Sequence, residues 1–303
     1  MKEKWQGQSR GGRTGYLIFI FLIRHFGLYS AYALLAVVAA YFIIASPRAT
    51  VDIWLYARKI LGYGRLHSAL FAYKSYFSFG LSIIDKFAIS AGLADKFNYE
   101  FRGGDEIESI MESGKGAIII GAHFGNWAAG ESFFCRYKAC LNFVMFDNEH
   151  EGIKEAMGQN KSSDTSFKII PVNKDSLAHV FMITEALDRG EIVCFMGDRY
   201  VNDDKLMDGT LMGHPAKFPS GPFLLASRLN VPVLFYFSVR NKNMTYCFRF
   251  VKAKASADRK TFAYALLNQY TEILSEEIKE HPEQWYNYYD YWNLRGSDKK
   301  VDG

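Results

Sequence analysis

A chain of 303 residues is long enough for one large core or two modest domains, and its 49% hydrophobic and 16% aromatic content excludes a disordered chain. The 25 Phe and 19 Tyr suit a surface that meets lipid, although large cores also use Phe. A formal net charge of +4 favours an anionic surface or an acidic partner, but the basic residues form no long run and no nucleic-acid signature occurs, so no nucleic-acid partner is expected.

The first fifteen residues carry Lys2, Lys4, Arg10 and Arg13 against Glu3. An apolar stretch follows, then Arg24-His25, then an uncharged run over 26–45 about as long as a helix needs to cross a bilayer core. A cleavable signal peptide is not expected, because the apolar stretch is too long and no small-residue cleavage site follows. A basic arm ahead of the run keeps the N-terminus in the cytoplasm, yet Arg48, Arg58, Lys59 and Arg65 close behind it argue against translocation. Three readings stay open: a single span, a helix embedded in the inner leaflet or a tight re-entrant pair, and a helix buried in the protein core.

The pattern stays helical over 51–92, with Tyr56, Leu61, Leu66, Phe71, Tyr76, Leu81 and Phe87 among Lys and Arg, as in amphipathic helices that pack on a body or lie on headgroups. A turn at Gly103-Gly104-Asp105 divides residues 1–100, a membrane-anchoring helical part, from an α/β part over 101–303. A polar helix over 106–113 and Gly114-Lys115-Gly116 lead into the apolar run 117–120, a buried strand that ends in Gly121-Ala122-His123-Phe124-Gly125-Asn126-Trp127. Helical content follows over 127–137, so His123 is placed where a strand hands over to a helix.

Beyond it, strands at 142–146, 167–172 and 192–196 alternate with helices at 149–159 and at 176–188, the latter capped by Asp175 and ended by Gly190. After a loop of Asp, Lys and Gly come a helix at 219–229, strands at 231–239 and 245–251 joined by a hairpin through Asn241-Lys242-Asn243, and a helix at 258–280. The alternation predicts an α/β fold with a mostly parallel central sheet flanked by helices on both faces.

Strand ends are where such folds bind ligands. The strand 192–196 ends in Gly197-Asp198-Arg199, so Asp198 reaches His123 if the two strands are neighbours. A carboxylate on one ring nitrogen fixes the tautomer while the other nitrogen takes a proton, the equipment for activating a hydroxyl or amine. The blander alternatives are a histidine satisfied by loop hydrogen bonds and an Asp198 salt-bridged to Arg199. Arg199 suits phosphate or an oxyanion, and amides after Gly125 offer similar help. Asn126 either donates to a substrate or caps the following helix.

Other chemistries find less support. Gly114-Lys115-Gly116 does not complete a P-loop, and no G-x-S-x-G elbow is present. No two histidines stand at metal spacing, and no metal is expected. His179 reads as packing, His214 as a turn residue, and His281 as a partner of the last helix dipole. The four cysteines, Cys135, Cys140, Cys194 and Cys247, show neither metal-ligand nor disulfide spacing, which fits a reducing cytoplasm.

Four segments together resemble the bacterial lipid A late acyltransferases, lauroyl and myristoyl transferases of the lysophospholipid acyltransferase-like superfamily, and most of all their "predicted acyltransferase" branch. They are the His123 segment, Phe195-Met196-Gly197-Asp198-Arg199, Gly213-His214-Pro215-Ala216-Lys217-Phe218-Pro219-Ser220-Gly221-Pro222, and Gln284-Trp285-Tyr286-Asn287-Tyr288-Tyr289-Asp290-Tyr291-Trp292. The resemblance implies transfer of a fatty acyl group from an acyl carrier protein or coenzyme A thioester to a lipid or glycolipid acceptor. It places that reaction at the cytoplasmic face of the bacterial inner membrane, without a bound cofactor. His123 then matches the general base and Asp198 a carboxylate of the later motif. Gly125, Asn126, Trp127 and Arg199 border the substrate, and Lys217 meets acidic headgroups or the carrier.

One position departs from the pattern. The family motif is His, four residues, then Asp or Glu, and here that position is Ala128. Either Asp198 alone orients His123, or Glu131 substitutes, or activity is reduced or lost. The last case defines a rival reading, a lipid-binding or assembly protein that keeps the fold.

Overall fold

The computed structural model describes residues 13–130, 134, 140–146, 167–172, 177–200, 205–255, 258 and 261–295. The expected helix at 149–159, the cap residue Asp175, the expected helix start at Ser176, Glu131 and most of the expected helix at 127–137 lie outside the described residues.

Among the described residues nine strands occur in chain order: β1 (Asn98–Arg102), β2 (Ala117–Gly125), β3 (Leu141–Phe146), β4 (Phe167–Val172), β5 (Ile192–Met196), β6 (Leu206–Leu211), β7 (His214–Pro219), β8 (Val233–Arg240) and β9 (Thr245–Lys252). Seven of them form one sheet in the order β1-β9-β8-β2-β5-β3-β4. Every pairing in it is parallel except β8 with β9, the hairpin that the sequence signals. Strand β2 therefore lies at the centre, with β5 on one side and β8 on the other.

Helices cover both faces of the sheet, as the apolar pattern requires. They are α1 (Arg13–Phe26), α2 (Leu28–Ala45), α3 (Pro47–Leu55), α4 (Arg65–Ala88), α5 (Gly104–Glu112), α6 (Ala178–Asp188), α7 (Ser220–Arg228) and α8 (Phe262–Glu280). Alternate residues of β2 enter opposite cores. Ile118, Ile120, Ala122 and Phe124 join a cluster with Phe223 of α7 and Leu266 and Tyr270 of α8, whereas Ala117 and Ile119 join Ile84 of α4 and Ile107 of α5. A strand buried on both faces explains why its sequence is continuously apolar.

Two features were not legible in advance. Strand β1 pairs in parallel with β9 at the sheet edge. The loop expected before α7 is instead the antiparallel hairpin β6–β7. Its turn, Met212-Gly213, takes positive φ at both residues (55° and 80°), the geometry of a tight hairpin without the usual Asn-Gly signal. Pro215 and Pro219 are tolerated because this ribbon has free edges.

Helix α2 buries one stripe, Leu28, Ala31, Leu35 and Ala39, and leaves Tyr29, Val37, Tyr41 and Ile44 exposed. The described residues thus do not enclose it as a core helix. Both α2 and the run Arg65–Lys96 are long and apolar enough to cross a membrane. One face of α4 is polar, with buried Ser68, Ser75, Ser82 and Asp85 turned toward the body of the protein.

The segment that positions the site is a bulge. Gly121 of β2 pairs with Tyr236 and Gly125 with Ser238, so four steps on β2 face two on β8. Extra residues bend a strand and re-aim its side chains. Gly125 closes the bulge at φ 58°, where an added Cβ would lie 1.6 Å from the Ser238 carbonyl oxygen. Gly125→Ala is expected to cost about 3 kcal/mol or more, from a left-handed alanine plus a forced backbone shift. A thermal melt in detergent matching the wild type would show that the bulge does not need this glycine.

Candidate active site

His123 stands inside the bulge rather than beyond the strand. The neighbouring strand β5 runs parallel with Gly121 opposite Met196, so the next turn, Gly197-Asp198, arrives beside it. The amide of Gly197 donates to the carbonyl of Gly121 at 2.8 Å, and Tyr270 of α8 donates its hydroxyl to the same oxygen at 2.9 Å. Burial pushes the Tyr270 hydroxyl well above its ordinary range, so it remains a donor.

These anchors bring the imidazole and the carboxylate together. His123 Nδ1 lies 2.8 Å from Asp198 Oδ1, and the His123 amide donates to Oδ2 at 3.1 Å. Asp198 is 0% exposed, whereas the His123 side chain keeps 27% exposure. With Nδ1 turned to the acid, Nε2 is the nitrogen left for a proton acceptor role.

A C-terminal strap completes the shell. The chain leaves α8 at His281, and Trp285 bridges Phe124 in antiparallel fashion while the Tyr286 amide donates to the His123 carbonyl at 3.0 Å. Trp285 Nε1 and Asn287 Nδ2 both reach Asp198 Oδ2 at 3.4 Å. The strap is tied in turn to α4, where Tyr288 donates to the Ser75 carbonyl at 2.8 Å and Tyr286 to the Ser78 carbonyl at 3.2 Å. Its far end is held by Arg295, whose guanidinium is bidentate to buried Asp52 of α3 at 2.7 and 2.6 Å. The sequence marked 284–292 as a family-like segment without giving any residue in it a role. Its density of Trp, Tyr and Asn was the available signal for a buried, hydrogen-bonded strap.

The other expected site residues fall in different places. Arg199 directs Nε to Asn287 Oδ1 at 2.7 Å and Nη2 to the Tyr286 carbonyl, so part of its donor fork holds the strap. Asn126 neither caps a helix nor offers its amide outward. Its Nδ2 donates to the Ser82 carbonyl at 3.1 Å and to the Tyr246 hydroxyl at 3.2 Å, and its backbone amide donates to Ser238. That amide is therefore committed to β8 and not to an oxyanion. Trp127 and Ala128 belong to a 3-10 turn, Trp127–Gly130. Lys217 sits in β7, not in a loop, and pairs with exposed Asp208 across the hairpin at 2.8 Å. His214 opens the same strand, with its ring 6.5 Å from that of Trp292. A recess of about 390 Å³ lies elsewhere, between the β6–β7 turn and α8.

Electrostatics favour a neutral ring on an ionised acid. Burial, then the Arg199 charge, pull His123 below its ordinary value, against the upward pull of Asp198. Burial alone would raise Asp198, but the charge and hydrogen bond of His123 and the charge of Arg199 hold it net below the usual carboxylate range. Among the described residues, no group of three or more His, Cys, Asp or Glu side chains is arranged to hold a metal.

A model of the bacterial lipid A biosynthesis acyltransferase family matches residues 74–292. That span begins within α4 and ends at Trp292, so it takes in His123, Asp198 and most of the strap and leaves α1, α2 and α3 outside. The chain is also similar to the phosphatidylinositol mannoside acyltransferase of two strains of Mycobacterium tuberculosis, 21% identical over 205 residues that cover 66% of this chain. The matched stretch covers 62% of those relatives, less than two thirds of their length.

A histidine with a depressed folded-state value is protonated first in the unfolded chain. Stability is then full above the ordinary value of 6.5 and declines as pH falls below it, with a second decline beginning under 3.8 from Asp198. Melts from about pH 8 to about pH 5 should show this loss in the wild type and a shallower one in His123→Gln. In Asp198→Asn the imidazole should titrate lower than in the wild type by NMR, because the pull of the carboxylate is gone. A higher midpoint would contradict the pairing.

Proposed function

The chain belongs to the bacterial lipid A biosynthesis acyltransferase family, and from that premise we propose that it moves a fatty acyl group from an acyl carrier protein or coenzyme A thioester to a hydroxyl or amine of a membrane lipid or glycolipid. The observation that carries the reading is the buried Asp198 carboxylate at 2.8 Å from His123 Nδ1. Nε2 takes the proton of the acceptor as its oxygen or nitrogen attacks the thioester carbonyl. A tetrahedral oxyanion forms, its collapse breaks the carbon–sulfur bond, and the departing thiolate recovers the proton from the imidazolium. No covalent enzyme intermediate is needed.

Asp198 holds the reactive tautomer and balances the imidazolium. Because the amide of Asn126 is engaged by Ser238, the oxyanion is stabilised chiefly by the positive field of Arg199. The family description and the name of the mycobacterial relatives share one acceptor class, a membrane glycolipid. The exposed apolar residues of α1 and α2, among them Phe21, Phe26, Tyr29 and Tyr41, suit insertion into the inner leaflet from the cytoplasmic side, with basic residues at both ends of α2 on the headgroups. Lys217 then meets headgroups or the acidic carrier from the exposed hairpin.

Ala128 favours a second reading, in which the chain binds lipid or assists assembly without turnover. In the first reading Asp198, supplied by a separate strand, does the work of the missing acid. Purified protein in detergent, given a labelled acyl thioester and glycolipid acceptors, should transfer label. His123→Ala should lower the rate by about 10²–10⁴-fold and Asp198→Asn by a comparable factor. Full turnover by His123→Ala would end the catalytic proposal, and lipid binding without any transfer by the wild type would favour the second.

A further inference from the structure

A second buried polar cluster lies beneath the site, centred on Asp85 of α4. Its carboxylate is 0% exposed and accepts three donors: the Tyr32 hydroxyl from α2 at 2.5 Å, the Tyr246 hydroxyl from β9 at 2.6 Å and Arg240 Nε from β8 at 2.6 Å. Arg240 also lies over the Tyr32 ring at 5.5 Å. Burying such a pair gives little net stability compared with apolar residues of the same volume. An ionisable group on a helix apolar enough to enter a bilayer therefore calls for a functional account.

Two branches lead from this carboxylate to the reactive pair. In the first, Tyr246 receives Asn126 Nδ2 at 3.2 Å, and the same nitrogen donates to Ser82 of α4. Asn126 directly follows the bulge that aims His123. In the second, Arg240 exchanges two hydrogen bonds with the Gln284 side chain, amide to Oε1 at 2.9 Å and Nε2 to carbonyl at 2.8 Å. Gln284 is the root of the strap whose Trp285 and Asn287 hold Asp198.

We propose that Asp85 is a positioning residue, which sets from the membrane-facing helices the relative placement of His123 and Asp198 through the Tyr246–Asn126 and Arg240–Gln284 branches. The proposal rests on reading His123 and Asp198 as base and orienting acid. An error on the order of 1 Å in such a pair lowers turnover about a hundredfold, whereas substrate binding is largely spared. The device also gives α2 and α4 a direct mechanical link to the chemistry: a change in how they sit reaches both partners at once.

The test is Asp85→Asn in the full chain in detergent, followed by the ring titration of His123 by NMR, assigned against His123→Gln, and by kcat and KM with a labelled acyl thioester. Expected are a displaced titration midpoint and a kcat lower by about tenfold or more with KM within about twofold. Glu191→Gln, which removes a partly exposed partner of Lys168 and Arg189 at the opposite end of β5, should move neither. A folded Asp85→Asn with wild-type midpoint and kcat would overturn the proposal. If Asp85→Asn does not fold, Tyr246→Phe and Gln284→Leu each cut one branch without stranding a charge, and an unchanged midpoint in both would overturn it equally. A wild type that transfers no acyl group would remove the catalytic reading alone, because the titration still reports whether Asp85 places the ring.

Discussion

The fully buried carboxylate of Asp198 is what the centre of the molecule is arranged to satisfy. An ionised acid without water is tolerated only when donors surround it. Here they come from two stretches of chain: the ring and amide of His123 on β2, and the indole of Trp285 with the side-chain amide of Asn287 on the strap. The requirement explains why β5 must lie beside β2, why β2 must bulge, and why residues far along the chain return to cross the sheet edge.

The same requirement bears on Ala128. In the pattern that this chain resembles, the acid follows the histidine after four residues, so local chain geometry can set the pair. When the acid arrives from another strand, its geometry depends on sheet register and on whatever buttresses the turn after β5. The buttress is the strap, and behind it Asp52, Ser75 and Ser78 on the helical layer. A carboxylate held this way rests on the tertiary structure, which fits the number of hydrogen bonds that converge on 284–295.

Much of this was legible in the residues. The apolar runs at 167–172 and 192–196 became strands with those bounds, and the placement of His123 and Asp198 at the ends of parallel strands brought them within hydrogen-bond reach. What escaped was non-local. The bulge arises from a register difference between β2 and β8, which no pattern within β2 encodes. Asn126, a polar residue beside a glycine, carries the local signature of a cap or a ligand donor, yet its amide is consumed by a carbonyl of α4 and a tyrosine of β9. Lys217 was expected in a loop from the family-like segment around it, yet it lies in an edge ribbon, which admits the prolines on either side of it.

The strap also orders events during synthesis. Residues 13–96 leave the ribosome first and can settle at a bilayer while the sheet is still growing, but Asp198 cannot be fully enclosed until Asn287 has emerged. In a nascent chain the acid therefore stays wet and the imidazole loosely held until the strap has been made, so the pair is the last part of the fold to be sealed.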